Sequence, residues 1–132
     1  KWKRKFMNKF VDSNVIIFAF TNSSQKKECR NILGEENLVT NTLVLLESYA
    51  KITTINSETY AKATIRNILS LANIEVVDFT NNLFFEAIKR GQKYKLKISD
   101  LVHYTAALLH NCNEIISYDR HFDGLDIKRI EP

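Results

Sequence analysis

Apolar residues in this chain fall into short, often β-branched runs that alternate with stretches of helical spacing. Lys9-Phe10-Val11 predicts a first strand, and the apolar run 15–20 predicts the start of a helix. Residues 24–33 are mostly polar, with Cys29, Ile32 and Leu33 at helical spacing and Gly34 placed to end that helix. Leu38-Val39 predicts a second strand. Thr40 or Thr42 can cap a helix running to about Thr54, and Ser57 another over about 58–71, with Ala61, Ile65, Ile68 and Leu69 on one face. Ile74-Glu75-Val76-Val77 predicts a third strand. Thr80 then caps a helix striped by Leu83, Phe84, Ala87 and Ile88 and ended by Gly91. Ser99 caps a helix over 100–111, Ile115-Ile116-Ser117 is a fourth strand, and Ile127-Lys128-Arg129-Ile130 a weaker fifth.

Short apolar strands alternating with helices imply parallel βαβ units. The expected fold class is α/β, a three-layer α/β/α arrangement around a central parallel sheet of four to five strands. In such sheets, sites form beyond the carboxyl ends of the strands. Asp12 follows strand one and Asp119 follows strand four, so both are expected at one edge.

Four acids stand out against this pattern. Asp12 ends one apolar run, Glu47 interrupts Leu43-Val44-Leu45-Leu46-Glu47-Ser48-Tyr49-Ala50, Asp100 opens the apolar helix 100–111, and Asp119 follows Ile115-Ile116-Ser117-Tyr118. A buried carboxylate is costly without a partner. Each position also has a plain structural reading. Asp12 or Ser13 could cap a helix, Glu47 could be a solvated helix residue, Asp100 could complement a helix dipole, and Asp119 and Asp123 could serve turns near Gly124. Taken together, the four suggest one shared hard cation, Mg²⁺ or Mn²⁺, because oxygen-only ligands do not suit zinc.

Composition narrows the class. The chain has 132 residues, 45% hydrophobic and 26% charged, as expected for one globular domain. No apolar run is long enough to span a bilayer, and no signal peptide is evident, so no membrane role is expected. Three Gly and one Pro leave little material for long loops or linkers, and a single domain over 7–132 is expected. The net charge is +4, with Lys1, Lys3, Arg4 and Lys5 contributing four of the 19 Lys/Arg; without them, 15 basic residues balance 15 acidic ones. Residues 1–6 are therefore either a basic arm that pairs with phosphates or an expression remnant ahead of Met7. Cys29 and Cys112 are far apart and outside any CxxC pair, which fits reduced thiols in a cytoplasmic protein.

Four segments together resemble one known family, the PIN-domain nucleases. They are Val11-Asp12-Ser13-Asn14-Val15, Glu47 in its apolar helix, Ser99-Asp100 with the Ala-rich helix after it, and Ser117-Tyr118-Asp119-Arg120-His121-Phe122-Asp123-Gly124-Leu125. The length and single-domain build look most like VapC-type toxins of toxin–antitoxin pairs. The resemblance implies metal ligands at Asp12, Glu47, Asp100 and Asp119, an auxiliary acid at Asp123, and carboxylate-orienting groups at Asn14 and Ser117. The family's small polar residue ahead of Glu47 could be Thr40 or Thr42. It further implies cleavage of single-stranded RNA by a metal-activated water, leaving a 5′-phosphate and a 3′-hydroxyl. A homodimer and a small antitoxin are implied as partners, the antitoxin held on the helices over 24–33 and 58–71 through Ile32, Leu33, Ile65, Ile68 and Leu69.

Several other residues carry two readings. Arg90, Lys93, Lys95 and Lys97 could guide an RNA backbone or form a solvated loop, and Arg120 and His121 could touch RNA. His121 could also donate a proton to the leaving oxygen. His103 and His110 are expected on a helix surface or interface, and Tyr49, Tyr60 and Tyr104 in the core rather than stacked on bases. A haloacid-dehalogenase phosphatase would want an Asp where Asn14 stands, and a phospho-acceptor receiver domain would want more acids near strand one. An RNA-processing nuclease without an antitoxin and a non-catalytic PIN-like RNA-binding module are the remaining alternatives.

Overall fold

The computed structural model describes residues 8–132; the question of residues 1–6 lies outside the described residues. Among the described residues five strands form one sheet: β1 (Asn8–Val11), β2 (Leu38–Asn41), β3 (Ile74–Val77), β4 (Cys112–Ile116) and β5 (Lys128–Ile130). All pairings are parallel, in the order β3-β2-β1-β4-β5. Six α-helices connect and cover them: α1 (Ser13–Ala19), α2 (Lys26–Glu35), α3 (Thr42–Ile55), α4 (Glu58–Ser70), α5 (Asn81–Lys89) and α6 (Ile98–Leu109). This is the expected three-layer α/β/α fold.

The chain winds outward from β1 through β2 to β3, then returns to the other side of β1 for β4 and β5. The order of winding reverses between β1 and β4, and a crevice forms at such a point beyond the strand ends. The two strand ends are tied directly, because the Asp12 N–H donates to the Ile116 carbonyl at 3.1 Å. Phe10, Val11, Ile115 and Ile116 are fully buried beneath that edge, with Tyr104 and Phe122 packed in the same core. The edge is therefore anchored on a solid floor, which can hold polar side chains in fixed positions.

Three helix ends differ from expectation. Gly34 lies inside α2 rather than after it, since the C-terminal carbonyls are capped by Asn73, whose Nδ2 donates to Leu33 O and Glu36 O at 2.8 Å each. Asn41, not Thr40 or Thr42, caps α3; its Oδ1 accepts the Val44 N–H at 2.8 Å. Thr40 instead donates to the Val11 carbonyl at 3.0 Å, joining β2 to β1. Helix α6 begins two residues earlier than expected, with Lys97 at the cap position and no side-chain cap from Ser99. Ser57 and Thr80 do cap their helices. Gly124, at φ 74°, makes the left-handed turn that only glycine adopts without cost and sends the chain into β5.

Candidate metal centre

All four conspicuous acids reach the β1/β4 edge. Asp12 stands at the end of β1 and caps α1, Glu47 projects from α3, Asp100 from the first turn of α6, and Asp119 caps the short 3-10 helix Arg120–Phe122. Helix N-termini suit Asp12, Asp100 and Asp119, because their free N–H groups and positive dipole ends favour negative charge.

Asp12 is only 5% exposed and is the most tightly held. Its Oδ1 accepts the Ser13 N–H at 2.8 Å; its Oδ2 accepts Ser117 Oγ at 2.7 Å and Asn14 Nδ2 at 3.3 Å. Asn14 also donates to Ser117 Oγ at 3.1 Å and accepts the Tyr118 N–H at 3.3 Å. Ser117 Oγ in turn accepts the Asp119 N–H at 2.9 Å. The two residues expected to orient carboxylates thus link the end of β1 to the segment carrying Asp119.

Asp100 is 6% exposed, and its Oδ2 is buried with no hydrogen-bond donor. Burial lifts its pKa, Lys97 pulls the other way, and the negative charges of Asp12 and Asp119 raise it further. Burial also lifts the Asp12 carboxyl, with Glu47 adding to the rise against opposing hydrogen bonds from Ser117 and Ser13. Repulsion therefore runs from Glu47 through Asp12 and Asp100 to Asp119. Glu47 behaves differently: burial pushes its pKa up, but the hydrogen bonds of His103 and Ser13, with the charge of Lys97, bring it below the usual value.

Ligand atoms of Asp12, Glu47 and His103 lie within 4.8 Å of one another, as do those of Asp100, Asp119 and His121. Closely packed acids with an orphaned oxygen fit a divalent cation, which would supply the missing partner. His121 is exposed; its Nδ1 lies 3.0 Å from Asp119 Oδ1. Asp123 lies outside both groups, where Arg129 Nε donates to its Oδ1 at 2.6 Å and Arg129 also reaches the Ser117 carbonyl at 2.9 Å. Asp123 thus braces the wall of the site through Arg129.

The expected basic residues divide. Arg90 is paired with Glu86 at 3.0 Å, and Lys93 lies 3.5 Å from Asp126, so both are engaged away from the acids. Lys97 acts electrostatically on Glu47 and Asp100, while Lys95 and Arg120 are exposed. Of the tyrosines, Tyr104 is fully buried, and Tyr49 and Tyr60 are half-buried. His103 is not on a helix surface: it is 1% exposed and bonded to Glu47. Its spacing three residues after Asp100 on an apolar helix was the available signal, since a histidine there shares the face of the acid. Asn41, its other partner, was hidden by the two threonines that flank it.

The apolar groove also differs from expectation. Leu33 and Ile68 belong to the core, whereas Ile65 and Leu69 line a groove of about 630 Å³ together with Leu45, Leu46 and Tyr49. It lies between α3 and α4, while a second groove of about 220 Å³ lies between α2 and α4, lined by Arg30, Leu33, Gly34, Asn67 and Leu71.

Three solved structures share this architecture over nearly their whole length. VapC20 from Mycobacterium tuberculosis, described as a sarcin-ricin loop cleaving toxin, superposes with a TM-score of 0.79 at 15% identity, covering 95% of this chain and 100% of that one. A toxin–antitoxin complex from Klebsiella pneumoniae gives 0.71 at 18% identity, covering 93% and 96%. VapBC2 from Rickettsia felis, bound to a DNA fragment from its promoter, gives 0.70 at 14% identity, covering 95% and 98%. At these identities the likeness is one of fold. No curated protein sequence matches the chain. The sequence profile of the PIN domain, however, matches residues 9–128, and the chain belongs to the PIN-domain family.

Proposed function

We propose that this chain is a metal-dependent endoribonuclease, the toxin of a VapBC-type toxin–antitoxin pair, acting in the cytoplasm on single-stranded RNA. The observation that carries this reading is the convergence of Asp12, Glu47, Asp100 and Asp119 on one sheet edge, with Asp100 Oδ2 buried and unpartnered. A degenerate binding module would have no reason to keep that repulsive arrangement. An RNA-processing nuclease without an antitoxin would share the site and differ only in its partner.

The four carboxylates would hold Mg²⁺ or Mn²⁺. When bound, such an ion lowers the pKa of water and offsets charge on the phosphate in an in-line displacement. The chain's own residues supply the geometry. Ser13, Asn14 and Ser117 fix both oxygens of Asp12, and the Ser117–Asp119 contact sets the spacing between the two strand ends. Lys97, Lys95 and Arg120 are placed to attract the RNA backbone, Lys97 nearest the acids. Products would carry a 5′-phosphate and a 3′-hydroxyl, because water rather than a ribose hydroxyl attacks.

The apolar groove between α3 and α4 suits an antitoxin segment, and its rim residues Lys62 and Arg66 favour an acidic one. Phe79, Phe84 and Phe85 form an exposed aromatic patch before and along α5, which suits a homodimer contact. The reading is tested by incubating the protein with a mixed RNA pool in Mn²⁺, Mg²⁺ or chelator and mapping the ends. Metal-dependent cuts with 5′-phosphate ends support it; metal-independent cuts with 2′,3′-cyclic ends refute it.

A further inference from the structure

His103 is buried between two elements of the site. On one side its Nδ1 lies 3.1 Å from Asn41 Nδ2, and on the other its Nε2 lies 2.9 Å from Glu47 Oε1. The Asn41 amide has no freedom to turn over, because its Oδ1 already accepts the Val44 N–H at 2.8 Å as the cap of α3. Its nitrogen must therefore be the atom facing the ring. An amide nitrogen only donates, and a neutral imidazole has one donor and one acceptor. Nδ1 must then accept, and Nε2 must carry the proton.

We infer that His103 is a positioning residue whose ring is locked by Asn41 with Nδ1 accepting and Nε2–H donating to Glu47, so that it is itself barred from ligating a metal. The backbone of α3, the Asn41 amide, the ring and the Glu47 carboxylate form one directed chain. Both its ends lie on α3, and α6 closes it from the side. Phe10 packs beside the ring, with centroids 5.9 Å apart, and stops it from turning.

Two consequences follow for the proposed metal centre, on which this part of the inference rests. Although His103 offers a ring nitrogen within 4.8 Å of ligand oxygens of Asp12 and Glu47, the Nε2 proton that meets Glu47 occupies the position a metal would need. Around Asp12 and Glu47 the centre is left with oxygen donors alone, which suit a hard cation better than zinc. With Oε1 held, Glu47 also keeps its second oxygen for the ion. Without that bond, a Glu on a half-exposed helix would sample several rotamers.

The direct test is two-bond ¹H–¹⁵N correlation spectroscopy of the metal-free protein, with the His103 ring assigned. The expected pattern is the Nε2–H tautomer; an Nδ1–H or doubly protonated ring overturns the inference whether or not the protein is a nuclease. Asn41→Asp keeps the helix cap but replaces the donor facing Nδ1 with an acceptor. It should move a proton onto Nδ1; an unchanged ring pattern refutes the control by Asn41. Mn²⁺ binding by electron paramagnetic resonance then tests the consequence. His103→Leu should weaken it by roughly 10–100-fold, with near-native circular dichroism, and His103→Gln, which restores an N–H donor, should recover much of the loss. Equal Mn²⁺ affinity in wild type and His103→Leu would overturn the positioning role. A wild type showing the Nε2–H ring but no Mn²⁺ binding would sink the nuclease reading while leaving the tautomer assignment intact.

Discussion

Replacing Asp100 with Asn should make the metal-free protein more stable, and the size of the gain can be built from its surroundings. The substitution keeps the shape of the side chain and removes its charge. Asp100 Oδ2 is buried without a donor, a condition that costs about 1–3 kcal/mol for a polar group. An amide there would face neighbouring carboxylates that accept rather than repel. Two effects oppose the gain. A negative charge in the first turn of α6 contributes about 0.3–1 kcal/mol through the helix dipole. The attraction of exposed Lys97 adds up to about 1 kcal/mol more at most. The balance is a stabilisation of about 1 kcal/mol, or a Tm rise of roughly 3–5 °C for a chain of this size. Urea and thermal unfolding in chelator at neutral pH would measure it. The pH dependence fixes the cause. Burial, with Asp12 and Asp119, raises the folded-state pKa of Asp100. A raised carboxyl contributes stability fully present below its unfolded pKa and lost as pH rises through the folded one. The variant's advantage should therefore be greatest at neutral pH and shrink toward acid. A variant less stable than wild type by about 1 kcal/mol or more at neutral pH, or an advantage that grows on acidification, would refute the reasoning.

Three further outcomes separate the site from its supports. Asp123→Asn should lower cleavage by less than roughly tenfold, because Asp123 is half-exposed and bound to Arg129, while Asp119→Asn should abolish it; equal losses would place Asp123 among the ligands. Tyr104→Phe should cost about 1–3 kcal/mol in urea unfolding, since the buried Ile127 N–H donates to the Tyr104 hydroxyl at 2.9 Å and would lose its partner; an unchanged midpoint would mean that N–H finds another acceptor. Burial raises the Cys29 thiol and, with Glu75, pushes Cys112 up to about 12, so iodoacetamide at mildly alkaline pH should label the native protein slowly and the urea-unfolded protein quickly; rapid native labelling of either would contradict that environment.

The sheet was legible because its strands are short β-branched or apolar runs in a chain with few glycines to confuse them. Ile74–Val77 shows this most plainly, with the same bounds in sequence and structure. The acids were legible because each interrupts an apolar pattern where solvent exposure would be needless. Element ends were less so. Gly34 reads as a helix stop, but the stop is made by Asn73, forty residues from Leu33 in sequence and adjacent only after β3 pairs with β2. Asn41 and the threonines beside it are all competent caps, and only the geometry of the β2–α3 corner chooses Asn41. Periodicity puts His103 on a helix surface because it locates a face without saying what meets it. Its partners come from positions 41 and 47, which no local pattern connects to α6.

The central claim is that Asp12, Glu47, Asp100 and Asp119 form one divalent-metal centre, and direct Mn²⁺ titration by calorimetry tests it most closely. Wild type should bind at a defined low stoichiometry and more tightly as pH rises, since protons compete with the ion at Asp12 and Asp100, whose pKa values are raised. The single variants Asp12→Asn and Asp100→Asn should each lose most of that affinity while remaining folded. Binding that survives both substitutions unchanged, or its absence in the wild type, would contradict the account.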